Sequence, residues 1–385
     1  MGVNNLNNKR NVGIYIHVPF CLSKCHYCDF CSVQRADEEK KARYVESLCR
    51  EIALFSQKIG ECGDVPVADT VYFGGGTPTL LSAGQISLVL SEVERGFGID
   101  RDAEITIEAN PKTADKNKLS ELRKIGINRL SIGMQSVHDN ELKSLGRIHN
   151  FEDFKTMFCE ARESGFDNIS ADLMYGIPLQ TRESFEKSVE TLALLSPEHI
   201  SSYCLTVEDE TNFGRRRDKL VLPDEDAVSD MYSDMTSVLN QHGYQKYEIS
   251  NFSKSGRESR HNVKYWCLED YLGFGAAAHS FFDEKRFAHS RDIEAYLRGE
   301  SIIIDVEELS QRELMNEYVM LGMRLSRGVR FADFKAKFGI DFAGIFGKIQ
   351  KYAPEFVCID EYGCRFTEKG MFVSNFILSD VLDFE

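Results

Sequence analysis

The sequence predicts an α/β fold in which a curved or partial (β/α) barrel is followed by a smaller α+β region. From residue 12 to about 208, β-rich runs alternate with helical patterns, and polar residues follow the ends of the β-rich runs. After about residue 245 the runs become β-rich and glycine-rich. Strict alternation indicates parallel strands joined by right-handed crossovers. A doubly wound sheet is the alternative, because alternation alone does not distinguish the two.

Six strands and the helices between them account for the first half of the chain. The strands are predicted at 12–18, 70–73, 104–108, 129–133, 168–173 and 199–206. The helices are predicted at 38–59, 83–95, 116–124, 151–164 and 182–195. In barrels and in open α/β sheets, ligands bind at the carboxyl ends of the strands. The polar strand ends therefore predict one shared ligand site.

The pattern divides the chain into four segments. Residues 1–11 are expected to be a flexible N-terminus, and residues 12–245 to form the barrel domain. Residues 246–305 form a connecting region, and residues 306–385 resemble a small winged-helix-like domain. Because the acidic chain has no basic recognition helix, an α+β cap that packs on the barrel is the better interpretation of this last domain.

Composition favours a globular protein of a reducing compartment. The chain has 385 residues, 42% of them hydrophobic, and a formal net charge of -15, which opposes binding to nucleic acid. No apolar run approaches the length of a membrane span, and the polar first ten residues do not resemble a signal peptide. Eleven cysteines, mostly isolated, argue against a disulfide framework. The expected compartment is the cytoplasm.

Three cysteines after the first predicted strand form the strongest motif. Cys21, Cys25 and Cys28 have the spacing C-x3-C-x2-C, which suits a [4Fe-4S] cluster with one iron left free to bind a cofactor or substrate. A zinc site and three unrelated thiols are the alternatives, although the separated second ligand pair of most zinc sites is missing. Tyr27 and Phe30 are expected to shield the cluster from water.

Two strand ends offer groups that could bind a polar cofactor. The segment Gly74-Gly-Gly-Thr77 lets a ligand lie against main-chain groups, although a tight turn would also use glycine. Glu108 ends a strand and could accept hydrogen bonds from ribose hydroxyls or an amino group. Asn110 precedes Pro111 and is interpreted as a helix N-cap.

Further candidates follow along the chain. Gln135 offers a neutral amide, Arg147 suits a carboxylate, and Asp172 is an acid within an apolar strand that needs a partner. His261 is a candidate heme-iron ligand, because histidine is a common axial ligand and the neighbouring Tyr265 is flat and aromatic. From these residues alone, a hydrogen-bonded core histidine is the better interpretation of His261.

Read together, the motifs resemble the coproporphyrinogen oxidase-like family of the radical S-adenosylmethionine (radical SAM) superfamily, over residues 12 to about 280. The matching segments are Tyr-Ile-His-Val-Pro-Phe-Cys-x3-Cys-x-Tyr-Cys-Asp-Phe, Gly-Gly-Gly-Thr-Pro-Thr, Ile-Glu-Ala-Asn-Pro, Gly-Met-Gln-Ser, Leu-Gly-Arg-x-His and Asp-Leu-Met-Tyr-Gly-Ile-Pro. The resemblance implies a partial (β/α)6 TIM-like barrel, with Cys21, Cys25 and Cys28 on the cluster. The S-adenosylmethionine pocket that it implies consists of Tyr15, Gly75, Gly76, Thr77, Glu108, Gln135, Arg147 and Asp172.

Two functions compete within that family. The oxygen-independent coproporphyrinogen III oxidase has a further cysteine two residues after the third ligand, where this chain has Phe30; Cys31 follows, and its role stays open. The segment His-Asn-x2-Tyr-Trp, residues 261–266, resembles the heme chaperones instead. The resemblance implies that heme binds at His261 and passes to an acceptor protein, with transient contact to membrane-bound acceptors. The oxidase, and radical chemistry on an unrelated substrate, are the alternatives.

Overall fold

The computed structural model describes residues 10–300 and 303–382. The strands are β1 Asn11–Val18, β2 Phe20–Cys21, β3 Val33–Gln34, β4 Val67–Gly75, β5 Ile99–Ala109, β6 Arg129–Gln135, β7 Ile169–Tyr175, β8 His199–Cys204, β9 Gln245–Lys246, β10 Asn251–Ser253, β11 Tyr271–Phe274, β12 His279–Phe282, β13 Lys285–His289, β14 Ile303–Glu308, β15 Val329–Arg330, β16 Val357–Ile359 and β17 Gly363–Phe366. The α-helices are α1 Glu38–Cys62, α2 Ala83–Phe97, α3 Lys116–Lys124, α4 Asp139–Ser144, α5 Phe151–Glu163, α6 Arg182–Leu195, α7 Glu225–Gln241, α8 Arg260–Trp266, α9 Ile293–Leu297, α10 Gln311–Gly322, α11 Phe331–Phe338, α12 Phe342–Phe346, α13 Glu368–Phe372 and α14 Ser374–Val381. Most of the predicted flexible N-terminus, 1–11, lies outside the described residues.

One large sheet positions the site. Its strand order is β14-β13-β12-β11-β1-β4-β5-β6-β7-β8-β10-β9. The six strands β1 and β4 to β8 are parallel and follow one another in chain order without the reversal of a doubly wound sheet, which confirms the partial (β/α)6 barrel. In the described part of the chain, β14 and β9 form the two edges of the sheet, so the barrel is open.

The two faces of the barrel strands have different chemistry, because successive side chains point to opposite faces. In β1, Ile14 and Ile16 are buried in the main hydrophobic core, whereas Tyr15 and His17 line the inside of the barrel. The outer helices begin at side-chain caps, such as the capping box in which Ser82 starts α2. The interior of the barrel is therefore lined by polar side chains where an ordinary barrel is packed with branched apolar ones.

The segment after residue 245 extends the sheet and closes one end of the barrel. Strand β11 pairs in parallel with β1, and β12, β13 and β14 continue from it in antiparallel fashion. Helix α8 lies at the amino-terminal ends of the barrel strands, where the main-chain N–H of His261 donates to Oε1 of Glu104 at 3.2 Å. The boundaries at residues 245 and 305 stay predictions.

The C-terminal region is the small α+β domain that the sequence predicts. Strands β15, β17 and β16 form an antiparallel sheet, and α10 to α14 surround a second core that contains Phe334 and Phe346. Leu268 and Phe281, from the segment that precedes this domain, are buried in the same core. No helix in residues 10–300 and 303–382 combines the length and the apolar character needed to cross a bilayer.

Candidate cofactor and ligand site

A cavity of about 1190 Å³ occupies the inside of the barrel. Its mouth lies at the carboxyl ends of the strands, beside the cysteine loop, and its floor lies at the opposite end, above α8. The predicted residues that line the cavity are Tyr15, Cys21, Cys25, Cys28, Gly75, Gly76, Thr77, Glu108, Gln135, Arg147 and Asp172. His261 is not among the lining residues. The volume exceeds that of most small-ligand pockets, so the cavity has room for more than one group.

The cysteine loop is anchored at several points. Its two flanking strands, β2 and β3, pair with each other. The main-chain N–H of His26 donates to the carbonyl of Leu145 at 2.9 Å, and its ring Nδ1 lies 3.0 Å from the carbonyl of Ser144. The N–H of Phe213 donates to the carbonyl of His26 at 2.9 Å. These bonds hold the three thiols at the mouth of the cavity.

The three thiols fit an iron–sulfur cluster better than a single ion. Burial raises the pKa of Cys21, and it raises the pKa of Cys28 to about 11. Binding to a metal cation deprotonates a thiol outright, so the raised pKa does not prevent coordination. Within the described ranges, no three Cys, His, Asp or Glu side chains converge on one metal position. A cubane cluster binds each cysteine through a different iron, and a zinc site requires such convergence.

Arg147 connects the cysteine loop to the barrel. Its Nη1 donates to Sγ of Cys25 at 3.4 Å, and its Nη2 donates to Oδ1 of Asn110 at 2.8 Å and to the carbonyl of Gly133 at 2.9 Å. Burial alone would lower the pKa of Arg147, but Tyr27 and Cys25 raise it above its ordinary value. Its Nε is buried without a partner among the described residues, so the guanidinium keeps a donor for a ligand.

Asn110 belongs to the site, and its interpretation as a helix N-cap is wrong. Its Nδ2 donates to Oγ1 of Thr77 at 2.9 Å, in addition to the bond that its Oδ1 accepts from Arg147. No helix starts here, because Lys112 adopts a φ of 73° and α3 begins later, capped by Asp115. The Pro that follows Asn110 gave a misleading signal.

Two half-buried carboxylates lie in the cavity. Oε1 of Glu108 accepts from the hydroxyl of Tyr72 at 2.8 Å, and Oε2 accepts from the N–H of Gly75 at 3.1 Å. Burial, together with the nearby Asp172, raises the pKa of Glu108 to about 7. Burial raises the pKa of Asp172 to about 6, although the hydroxyl of Ser131 donates to it at 3.2 Å. Both acids therefore titrate near neutral pH, and a cationic ligand would favour their ionised forms.

The aromatic residues of the cysteine loop differ in position. Tyr27 is half-buried beside Arg147 and lines the cavity, and its shielding of a cluster stays a prediction. Phe30 also lines the cavity but is 65% exposed, and its shielding role stays a prediction. The carbonyl of Phe30 accepts from Nζ of Lys24 at 3.3 Å. Gln135 also lines the cavity, and its Oε1 accepts from the hydroxyl of Tyr203 at 3.1 Å.

Packing explains two of the glycines without a ligand. A Cβ on Gly76 would lie 2.7 Å from the carbonyl oxygen of Phe20 and 2.8 Å from that of Val18, so the main chain that leads into the cysteine loop passes directly against it. Gly75 has a φ of 106°, which disfavours any side chain. That these residues and Thr77 hold the methionine end of a cofactor stays a prediction.

His17 is a site residue that the sequence reasoning missed. Its Nδ1 lies 3.2 Å from the hydroxyl of Tyr15, and its Nε2 lies 3.1 Å from the carbonyl of Cys31. Burial lowers the pKa of His17 to about 4, so the ring is neutral at pH 7. The sequence did contain a signal for His17. Side chains alternate between the two faces of a strand, so His17 lies on the same face of β1 as Tyr15. Sγ of Cys31 itself contacts the carbonyl of Arg291 at 3.4 Å.

His261 lies beneath the floor of the cavity. It is 1% exposed, its Nδ1 is 2.7 Å from Oγ1 of Thr70, and its Nε2 is 2.8 Å from the hydroxyl of Tyr265. Its ring also stacks on that of Tyr72, with 5.2 Å between the ring centroids. A bond to heme iron would have to replace one of the two hydrogen bonds. The role of His261 as a heme ligand therefore stays a prediction.

The open barrel with three spaced cysteines at its mouth is the arrangement of the radical SAM class. Residues 15–192 match the family model described as the radical SAM superfamily, and residues 309–373 match the HemN C-terminal domain. In a structural comparison, coproporphyrinogen III oxidase (HemN) from Escherichia coli superposes with a TM-score of 0.84 at 24% identity, covering 98% of this chain and 91% of that one. At this identity the likeness establishes the fold alone.

Relatives with curated names indicate the family to which this chain belongs within the radical SAM superfamily. Heme chaperone HemW from Bacillus subtilis is 37% identical over 94% of this chain and 96% of its own length. Heme chaperone HemW from Escherichia coli is 38% identical over 70% of this chain and 69% of its own length. This chain therefore belongs to the radical SAM superfamily and, within it, to the family of proteins named heme chaperone HemW.

Proposed function

We propose that this chain is a heme chaperone, which binds heme and passes it to an acceptor protein while carrying a [4Fe-4S] cluster and S-adenosylmethionine. The observation that carries the proposal is the near full-length identity of 37% with a relative named heme chaperone HemW. Membership of the radical SAM superfamily implies the cluster and S-adenosylmethionine. The eleven free cysteines support a reducing compartment, for which the cytoplasm is the proposed location.

The alternative is an oxygen-independent coproporphyrinogen III oxidase. The similarity of the whole fold to that enzyme favours it, at a TM-score of 0.84. Against it, Phe30 occupies the position two residues after Cys28 where the resemblance to the oxidase implies a further cysteine, and a phenyl ring binds no iron. Phe30 is also 65% exposed, so it presents an apolar ring to solvent at the mouth of the cavity.

The residues of the cavity support specific roles in cofactor binding. Cys21, Cys25 and Cys28 would hold the cluster, and Arg147, whose Nη1 donates to Cys25, would offset its negative charge and accept the carboxylate of the cofactor. When bound, the cluster and S-adenosylmethionine supply one-electron chemistry at the sulfonium. Tyr15 would pack against the cofactor.

The acids and amides of the cavity would orient the rest of the cofactor. Glu108, held by Tyr72 and Gly75, presents a carboxylate to an ammonium group or ribose hydroxyls. Asp172 offers a second carboxylate, and Gln135, fixed by Tyr203, offers its amide. Because these side chains already have fixed partners, they would bind a cofactor without reorganising.

One pair of assays on one sample tests the proposal. The chain is reconstituted anaerobically with iron and sulfide, then titrated with heme and, in parallel, incubated with coproporphyrinogen III and S-adenosylmethionine. We expect a stoichiometric heme complex and no protoporphyrinogen. Protoporphyrinogen without a heme complex would establish the oxidase. Release of 5'-deoxyadenosine with neither result would favour an unrelated substrate.

The acceptor defines the second half of the proposal. Transfer is tested by mixing the heme-loaded chain with a candidate heme-free acceptor and following the heme absorption of each protein after separation. We expect heme to leave this chain for the acceptor. Addition of membranes that contain a heme-free acceptor tests transient contact with membrane-bound acceptors, and failure of transfer to every acceptor would reduce the role to heme storage.

A further inference from the structure

Five histidines line the cavity, and their ring nitrogens differ in availability. Four of them are hydrogen-bonded within the described ranges: His17, His149, His199 and His289. His289 additionally pairs with Oε1 of Glu51 through its Nε2 at 2.6 Å. The fifth, His279, begins β12 and is exposed. No hydrogen bond or ion pair with another described side chain engages its ring.

Two properties that ligand binding requires distinguish His279 from His261. The ring of His279 lines the cavity, whereas His261 does not. The ring nitrogens of His279 have no hydrogen-bond partner among the described residues, whereas both ring nitrogens of His261 are hydrogen-bonded. An imidazole nitrogen without a hydrogen bond is available to bind a metal.

The surroundings of His279 suit a flat apolar ligand with acidic edges. Phe30, Ile304 and Leu22 line the same cavity and are 65%, 43% and 40% exposed. Exposed apolar groups around a cavity mark a binding surface. Lys24 and Arg291 also line the mouth and supply cationic groups, although Arg291 already contacts Asp29 at 3.2 Å.

Heme combines an apolar macrocycle, two carboxylates and an iron that accepts a nitrogen ligand. We propose that His279 is the protein ligand of the heme iron and that the macrocycle lies at the mouth against Phe30 and Ile304. This inference rests on the proposed function. It places the heme at the mouth of the cavity. Helix α8, which contains His261, then has the structural role of closing the floor.

The test compares three histidine variants of the full chain after anaerobic reconstitution. His279→Ala is the test variant, His261→Ala examines the competing ligand, and His242→Ala is the control, because His242 is exposed at the end of α7, away from the cavity. Each is titrated with hemin and examined by absorption and electron paramagnetic resonance spectroscopy. Circular dichroism of each variant verifies folding.

We expect His279→Ala to bind hemin at least about tenfold more weakly than the wild type, because loss of a ligand costs no less than loss of a group that supports one. Its ferric spectrum should lose the signature of histidine ligation and regain it when imidazole is added. His261→Ala and His242→Ala should keep the wild-type spectrum. A wild-type spectrum in His279→Ala, or its loss in a folded His261→Ala, overturns the assignment. Absence of a heme complex in the wild type contradicts the proposed function itself, and the assignment with it.

Discussion

The floor and the mouth of the cavity differ in how their polar groups are satisfied. At the floor, both ring nitrogens of His261 are hydrogen-bonded, and Nζ of Lys264 lies 2.9 Å from Asp69 and 3.1 Å from Glu269. At the mouth, the ring of His279 lacks a described side-chain partner, and Phe30 is 65% exposed.

This difference distinguishes polar groups that stabilise the fold from polar groups that can bind a ligand. Buried polar groups are nearly always hydrogen-bonded, so the two hydrogen bonds made by the ring nitrogens of His261 are explained by the fold alone. Groups that stay available next to a cavity are the ones that a ligand can use. We therefore infer that the segment 260–266 closes the barrel, and that ligand exchange takes place at the other end.

The largest expected effect is loss of the cluster from the mouth. The variant Cys25→Ala should retain little iron or sulfide after anaerobic reconstitution, because three thiolates are needed to hold a cubane with one free iron. Chemical analysis of iron and sulfide measures this. Cys62→Ala is the matched control, because Cys62 is exposed at the end of α1 and should leave the cluster intact. Full iron content in Cys25→Ala would remove Cys25 from the ligand set.

The next effect concerns the stability of the floor. Lys264→Met should lower the free energy of unfolding by about 3–5 kcal/mol, because it leaves the buried carboxylate of Asp69 without its partner. Denaturant unfolding measures the change. In the control Lys285→Met, which removes an exposed pair with Glu308, the change should stay below about 1 kcal/mol. Equal changes in the two variants would show that the floor is not tightly bonded.

Arg147 tests the binding chemistry of the mouth. Arg147→Lys should weaken S-adenosylmethionine binding by about tenfold to a hundredfold, because an ammonium keeps the charge but loses the planar fork that matches a carboxylate. Equilibrium dialysis of the reconstituted chain measures the dissociation constant. Arg123→Lys is the control, since Arg123 contacts the carbonyl of Gly165 far from the cavity. An unchanged constant for Arg147→Lys would assign the carboxylate to another residue.

The smallest effect is a pH dependence that Glu108 contributes. Because its pKa is raised to about 7 and the ionised form is the acceptor, affinity for S-adenosylmethionine should rise about tenfold between pH 6 and pH 8. The variant Glu108→Gln should flatten this dependence. Without ligand, the sign is opposite for stability: the folded state holds the proton more tightly, so this group destabilises the protein as pH rises from 4.5 towards 7. A steep profile that persists in Glu108→Gln would exclude this origin.

The barrel could be predicted from the sequence, because each of its strands and helices has a hydrophobic periodicity that can be recognised within a short segment. The cavity-lining positions of Glu108 and Gln135 follow from strand ends, and that of Asp172 from an acid within an apolar strand. The environment of His261 could not be derived in this way, because its partner Thr70 lies 191 residues earlier in the chain. Asn110 was misread for a related reason, since its contact with Arg147 depends on how separate strands meet.

The most direct test of the comparison is hydrogen–deuterium exchange of the reconstituted chain with and without heme. We predict slower exchange on heme binding in the segments 20–31, 277–291 and 303–306, which surround the mouth. The floor segment 259–268 should exchange at the same rate in both states, because its hydrogen bonds are already made. Protection of 259–268 with no change at the mouth would place the heme at the floor and contradict the account.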